Sequence, residues 1–343
     1  MKKKIFVVVI SLAVLILNSC NSNPVDSQPQ PGRRDYVWTT DTIKIPFKYL
    51  RKIWGDSPEN VWAVGSGGAS STSIWKYNGT KWSTDNVQRN ILPNGIWGFG
   101  KNSVWAAGNE GRIWSYNGID WKQSIWFTKQ NWDIGFEEIW GDNPNSIYAV
   151  GYADSANTRH AEMIRWDGST WQEIKIPDFN TYSFIKIRRA ANQQGDYFLL
   201  GWGEKSNGGD LLALFEFDGK NIWKIYEDDF VSQTWSDVSE IGGKLLFIIG
   251  NKISRYRNGQ FQPVFEVDIT KFNQGIWGRS EKDIFISMTD GIAHYNGTDV
   301  QYLYRYTGGK QVALGGVTLT NDIFILTRDY KNYSNIIIRG ILP

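Results

Sequence analysis

The chain has 343 residues and carries 37 lysines and arginines against 35 aspartates and glutamates, a formal charge of +2. That balance offers no basic face for nucleic acid, and a single cysteine excludes an internal disulfide. Fifteen per cent aromatic residues, 35 glycines and only three methionines suit short strands and tight turns better than helices.

The first element is not part of a fold. Lys2, Lys3 and Lys4 precede an apolar run from Ile5 to Leu17, too short to cross a bilayer comfortably and of the form of a secretory signal. It ends in Leu17-Asn18-Ser19-Cys20, which resembles the lipobox of bacterial lipoproteins and would make Cys20 the lipidated first residue of the mature chain. Residues 21–35 follow as a polar tether with Pro24, Pro29 and Pro31. Such a segment buries too little apolar surface to fold. Asn21 stands where an aspartate would resemble an inner-membrane retention signal, so an outer-membrane position in a Gram-negative envelope is expected, with the periplasmic and surface sides both open.

Tyr36 to Asp41 reads as a strand whose Trp38-Thr39-Thr40-Asp41 matches Trp82-Ser83-Thr84-Asp85 further on. No earlier strands of a repeat precede it. The repeat itself begins at Ile53. The run from Ile53 to Trp82 (IWGDSPENVWAVGSGGASSTSIWKYNGTKW) returns at Ile96 to Trp121, and again from Ile139 to Trp171; the two spacings are both 43 residues. A fixed period of about 40–50 residues built from short strands marks a β-propeller. Val61 to Val64 and Ile74 to Tyr77 are apolar strands, and Asn78-Gly79 is a hairpin turn in which both residues are expected at positive φ. The turn recurs at Asn117-Gly118, Asp167-Gly168, Asp218-Gly219, Asn258-Gly259 and Asn296-Gly297. The aromatic after it recurs as Trp82, Trp121, Trp171, Trp223 and Phe261, each expected to fill the wedge between blades.

Later copies are more worn. Their inner strands are expected near Ile187, Val238, Ile276 and Gly315, which makes seven blades of about 44 residues over 36–343. After Ile336-Ile337-Ile338 no outer strand remains, so the strand at Tyr36 should complete the last blade and remove an exposed edge. The expectation is an all-β, seven-bladed propeller of four-stranded blades in one domain. The pattern of I-W-G, V-W-A-V-G and I-W-x-Y-N-G-x-x-W resembles repeats of secreted bacterial propeller proteins, notably envelope lipoproteins of Bacteroidota-like organisms. That resemblance implies fold and compartment; it implies little about activity.

Few residues suggest chemistry. His294 occupies a strand position of the repeat and reads as structural. His160 lies in Tyr152 to Glu162, read as a long loop. No His, Cys and carboxylate spacing suits a metal, no nucleophile elbow is present, and no cofactor is expected. Gly65-Ser66-Gly67-Gly68 reads as a turn. Asp56 and Asp142 recur after I-W-G and should cap backbone N–H groups. Adjacent Glu137 and Glu138, near the third inner strand, are weak catalytic candidates of the glycosidase kind; Asp228-Asp229 reads as a solvated pair.

Aromatic residues outside the repeat positions are better candidates. Trp126, Phe127, Trp132, Trp202, Tyr304 and Tyr306, with His160, fall in the segments 124–136, 152–162, 202–210 and 302–310, all read as loops on one face. The expected function is a non-catalytic binding or scaffold module of the bacterial cell envelope, holding an envelope protein or a glycan and touching the membrane only through its lipid. The alternatives are a carbohydrate-active enzyme with Glu137 or Glu138 at a channel mouth, and a structural subunit of an envelope assembly.

Overall fold

A computed structural model describes residues 32–343 except 46–48, 66–69, 156–157, 178, 180, 191–194, 206–207, 230–235 and 309–310. The signal segment with Cys20, most of the tether and the glycine-rich turn at 66–68 lie outside the described residues. Seven four-stranded antiparallel sheets form the body. Their inner strands are Lys52–Ser57, Pro93–Gly98, Asp133–Asn143, Tyr182–Arg188, Ser236–Ile241, Phe272–Ser280 and Gln311–Thr318, numbered here as blades 1 to 7. Each contains the position expected from the repeat. Each inner strand touches the next, and the seventh touches the first, so the ring is closed.

The repeated I-W-G has a packing cause. The tryptophan of one blade reaches over the glycine of the next. A Cβ on Gly98 would lie 2.5 Å from the Trp54 ring, and one on Gly316 would lie 2.5 Å from Trp277. Trp97 donates its indole N–H to the Gly141 carbonyl at 3.0 Å. The outer aromatics bridge blades in the same sense. Trp121 meets Trp62 edge-on at 5.5 Å, Trp171 meets Trp105 at 5.9 Å and Phe261 meets Tyr226 at 5.7 Å. Trp223 departs from the pattern: it is 47% exposed, and the adjacent Ile222 is buried in its stead. Ile222 pairs with Phe217 as Trp82 pairs with Tyr77, so Ile222 holds the repeat position and Trp223, one residue on, faces the opposite side of the strand.

The turns also differ from expectation. Only Asn258-Gly259 has both residues at positive φ, 52° and 74°. At the other five, glycine alone is left-handed, from +94° at Gly79 to +100° at Gly168 and Gly297. The preceding Asn or Asp sits at the corner and accepts backbone N–H groups on its side chain, as Asn78 does from Thr80 at 3.1 Å and Lys81 at 3.0 Å. Asx capping replaces the need for a second positive φ. Among the described residues the partners of Asp56 and Asp142 are side chains rather than backbone. Asp56 accepts from the Asn60 amide at 2.8 Å, and Asp142 accepts from the Tyr197 hydroxyl at 2.9 Å and pairs with Arg189 at 2.8 Å. In blade 3 a carboxylate at this place therefore ties one blade to the next.

The N-terminal strand, Val37–Ile43, is the outer strand of blade 7, in register from Val37 opposite Ile341 to Ile43 opposite Asn335. Trp38 packs on Tyr304 of blade 6 at 5.5 Å, and Tyr36 meets Phe285 of blade 6 edge-on at 5.3 Å, the contact Trp121 makes with Trp62 between blades 2 and 1. Fully buried Asn335 locks the join. Its oxygen accepts the Leu50 N–H at 2.7 Å and its amide donates to the Ile43 carbonyl at 3.3 Å. Residues 32–35 belong with the folded body. Gly32 N–H donates to the Lys282 and Asn296 carbonyls, and Arg34 reaches Asp299 and Gln301, each at 3.0 Å. The Asx turns and these contacts lie on one face of the ring, the turn face. The connections between second and third strands, and between blades, lie on the other, the loop face.

Candidate binding face

What was read as loops on this face is largely ordered hairpin. The second and third strands of blade 3 run Ser146–Ser155 and Thr158–Trp166, and those of blade 4 run Tyr197–Glu204 and Asp210–Phe217. In blade 2 the matching strand ends at Gly108. Measured from the equivalent Gly151, the blade 3 strand continues four residues, about 13 Å at the usual rise. Tyr152 pairs with Ala161, Ala153 with His160 and Asp154 with Arg159, so Tyr152 to Glu162 is a β-hairpin. Segment 124–136 is likewise strand through Trp126 and again from Asp133, and Tyr302 and Tyr304 lie in the strand Val300–Arg305.

The two tall hairpins share a guanidinium. Arg159 is fixed by a two-pronged bond to Asp154, at 2.9 and 2.7 Å, a geometry that orients as well as holds. Its plane lies 4.7 Å from the Tyr152 ring and 5.4 Å from Trp202 in blade 4. The backbone closes the same seam. Thr181 N–H donates to the Arg159 carbonyl at 2.8 Å, and Glu204 N–H donates to the Thr181 carbonyl at 3.3 Å. Thr181 holds φ at +86°, strained for a β-branched residue, and the paired hairpins hold it there.

Beside this wall, Trp132 and His160 are in ring contact at 4.9 Å. They line a cleft of about 260 Å³ with Lys129, Glu162, Glu173 and Phe179. Lys129 bridges Glu162 at 2.5 Å and Glu173 at 2.8 Å. Burial pushes the Glu162 carboxyl up while Lys129 pulls it back. Phe127 packs inward on Phe136 at 6.2 Å. Trp126 stays 56% exposed with the Arg112 guanidinium 4.4 Å from its ring. Five of the expected residues, Trp126, Phe127, Trp132, His160 and Trp202, thus fall on blades 2 to 4. Tyr304 and Tyr306 are apart from them, in the core between blades 6 and 7. The Tyr306 hydroxyl is buried without a partner among the described residues, and burial drives its phenol upward.

The central channel encloses about 280 Å³. Its walls differ. Blades 6, 7 and 1 contribute Ile276, Trp277, Leu314, Ile53 and Trp54 together with Lys52, whereas blades 3 to 5 contribute Glu138, Lys186, Arg188 and Glu240. Glu138 is only 4% exposed. It receives both Arg188 arms at 2.8 and 2.9 Å and the Ile187 N–H at 3.0 Å, with Lys52 at 3.5 Å. Burial opposes its charge, but Arg188 and Lys52 prevail and hold its carboxyl down at about 2. Both oxygens are committed and ionised, so it has no proton to give a leaving group. Glu137 is the extra residue of a bulge between Phe136 and Glu138; bulges on inner strands re-aim side chains at rims. Lys186 is held by Asp237 at 2.6 and 2.7 Å.

His294 is fully buried on the turn-face side. Arg34 Nε lies 3.4 Å from its Nδ1, so Nε2 carries the proton donated to Asp283 at 2.7 Å. It is a packing residue, as its repeat position implied. Glu138 was read from the sequence as a channel residue, but its partners Lys52 and Arg188, and Lys186 beside them, escaped sequence reasoning because they come from different repeats. The one signal was that Lys52, Glu138 and Lys186 all stand immediately before the inner-strand isoleucine of their repeats.

By sequence, the chain matches no family model and no curated protein. By structure it is similar to YCF48 bound to D1 peptide, with TM-score 0.61 and 14% identity over 92% of this chain and 100% of that one. It is also similar to a catalytically inactive variant of virginiamycin B lyase from Staphylococcus aureus with quinupristin (TM-score 0.59, 13% identity, 90% and 100% covered). The WD40 propeller of Doa1 follows at TM-score 0.54 and 12% identity, with 89% and 97% covered. The chain is a seven-bladed β-propeller. Likeness at such identities establishes the fold and leaves ligand and activity to the site itself.

Proposed function

We propose that this propeller is a non-catalytic binding module of the bacterial cell envelope, anchored by lipid at Cys20, which holds a protein partner on its loop face. The observation that carries the reading is the wall built by blades 3 and 4. Tyr152, Arg159 and Trp202 are mounted on paired strands, and Asp154 fixes the Arg159 guanidinium that both rings face. Rigid aromatic and guanidinium groups are the side chains that anchor protein interfaces at low ordering cost. Peptide binding by a similarly folded propeller, YCF48, supports a protein over a glycan. Saturation of Glu138 by Arg188 and the Ile187 N–H weighs against the glycosidase alternative.

The test uses the full-length chain in its native envelope. A photo-crosslinking residue replaces exposed Trp126 on the loop face or, as control, Ile119, which is 88% exposed on the turn face. A discrete protein adduct from position 126 and none from 119 is expected. Equal adducts from both faces would remove the assignment of the face. In parallel, purified chain is incubated with a polysaccharide panel; retention without a protein adduct would favour a glycan, and released sugar would overturn the non-catalytic reading.

A further inference from the structure

Two guanidiniums on the loop face have no acid to satisfy them. Arg51 immediately precedes the inner strand of blade 1, and Arg328 is the last residue but one of the second strand of blade 7. Among the described residues no carboxylate lies within salt-bridge distance of either, although most cations on this face are paired: Arg89 with Asp85, Arg112 with Glu110, Lys129 with Glu162 and Arg159 with Asp154. The nearest acid of blade 7, Asp329, is spent on its own turn, accepting from the Lys331 and Asn332 N–H groups.

Both guanidiniums converge on one ring. Arg328 lies 3.8 Å from the centre of the Tyr49 ring and 4.6 Å from that of Tyr330, so its guanidinium is held between two rings. Arg51 lies 5.5 Å from the same Tyr49 ring, donates weakly to its hydroxyl at 3.4 Å and to Asn94 at 3.2 Å, and has a buried Nε with no partner among the described residues. The Arg51 hydrogen bond outweighs burial and draws the Tyr49 phenol below its ordinary value, with the Arg328 charge adding to the effect. A neutral phenol thus stands where two cations would be expected to hold an anion. The next residue, Lys52, lines the channel and has only a loose 3.5 Å contact with a carboxylate already held by Arg188.

A solvated surface arginine would explain Arg328 alone. It does not explain a half-buried Arg51 with an orphaned Nε, a second guanidinium held between two rings, and a third cation one residue inside the channel. Forked guanidiniums held in place match a planar carboxylate, with two parallel donors each and little entropy left to lose.

We propose that Arg51 and Arg328, with Tyr49 between them, form an anion-binding subsite at the blade 7 to blade 1 side of the channel mouth, which receives a carboxylate of a bound peptide segment. The proposal rests on the protein-binding reading above and adds where the acidic group of the partner lies. An acidic side chain and a free C-terminus present the same group, and the test separates them.

The full-length chain in detergent is titrated with fluorescent twelve-residue peptides in matched sets: an aspartate-containing sequence, its asparagine counterpart, and a neutral sequence with either a free or an amidated C-terminus. The aspartate peptide or the free C-terminus should bind more tightly than its neutral match by roughly tenfold, and less so in high salt. Arg51→Gln and Arg328→Gln should each erase that difference, and Arg51→Lys should restore part of it. Arg328→Gln, on a different blade, keeps the test valid if Arg51→Gln unfolds. Equal affinity for charged and neutral peptides, or a charge preference that survives Arg328→Gln, would overturn the subsite. Peptide binding lost on Trp202→Ala but indifferent to both arginines would overturn it while leaving the binding wall intact. A uronate oligosaccharide that competes where no peptide does would overturn the peptide assignment.

Discussion

One buried carboxylate in the channel ties stability to pH. Glu138 is ionised down to about 2, below its ordinary 4.5, because Arg188 and Lys52 more than offset its burial. A depressed carboxylate contributes stability above its unfolded value and loses it as pH falls towards its folded value. The window here runs from about 4.5 down to about 2, and the contribution is on the order of 3 kcal/mol. Glu138→Gln should therefore lower unfolding free energy at pH 7 by roughly 3–5 kcal/mol, since it leaves Arg188 without its buried partner. Between pH 4.5 and 2 the variant should lose less further stability than the parent. Denaturant titrations at pH 7, 4 and 3 read both effects. A variant as stable as the parent at pH 7 would show that water replaces the carboxylate without cost.

At the scale of elements, the spacing of isoleucine, tryptophan and glycine was enough to place the inner strands of blades 1, 2, 3 and 6, and those of blades 4, 5 and 7 were legible only from the apolar second strands that follow them. Gly98 shows why the glycine is needed: its place is filled by the Trp54 ring of the preceding blade. Gly98→Ala should cost about 1–3 kcal/mol by overpacking. Gly219→Ala, where a Cβ meets nothing but φ is +97°, should be destabilised through backbone strain alone. Thermal unfolding of both variants separates crowding from strain; an unshifted midpoint for Gly98→Ala would remove the packing account of the motif. The candidate face was only half legible. Non-repeating aromatics pointed to Trp126, Trp132, His160 and Trp202, which the hairpins gather on blades 2 to 4. The same criterion failed at Tyr304 and Tyr306, because an aromatic absent from one repeat can still fill the joint of another. Height was invisible too: alternation in Tyr152 to Glu162 is broken by Asp154, Arg159 and His160, whose polarity suits a hairpin standing clear of the sheet and reads as loop in a linear string. The arginines over Tyr49 had no local signal, since 51 and 328 meet only through ring closure.

For the whole molecule, closure by Val37–Ile43 joins the two ends of the fold. A chain lacking residues 32–43 should retain its inner ring but leave the edge of Ser334–Ile341 unpaired, with Trp38 gone from its place against Tyr304. Exposed edges pair with other chains. The truncated chain is expected to aggregate on heating and to show a first transition below the main one, read by calorimetry and light scattering. A single unchanged transition would mean that the last blade is stable with three strands.

That closing strand also sets an order in time. Val37 leaves the ribosome early, while its partner Ile341 follows about 300 residues later, which at 5–20 residues per second is a delay of roughly 15–60 seconds. Six blades can assemble from neighbours in sequence during that interval, but the strand at Val37 has nothing to pair with until the final blade exists. In an exported chain it would be among the first segments across the membrane and the last to find its place. The ring is thus sealed by its oldest segment, and the wait between its appearance and its pairing is the period in which the protein is most open to chaperones and proteases.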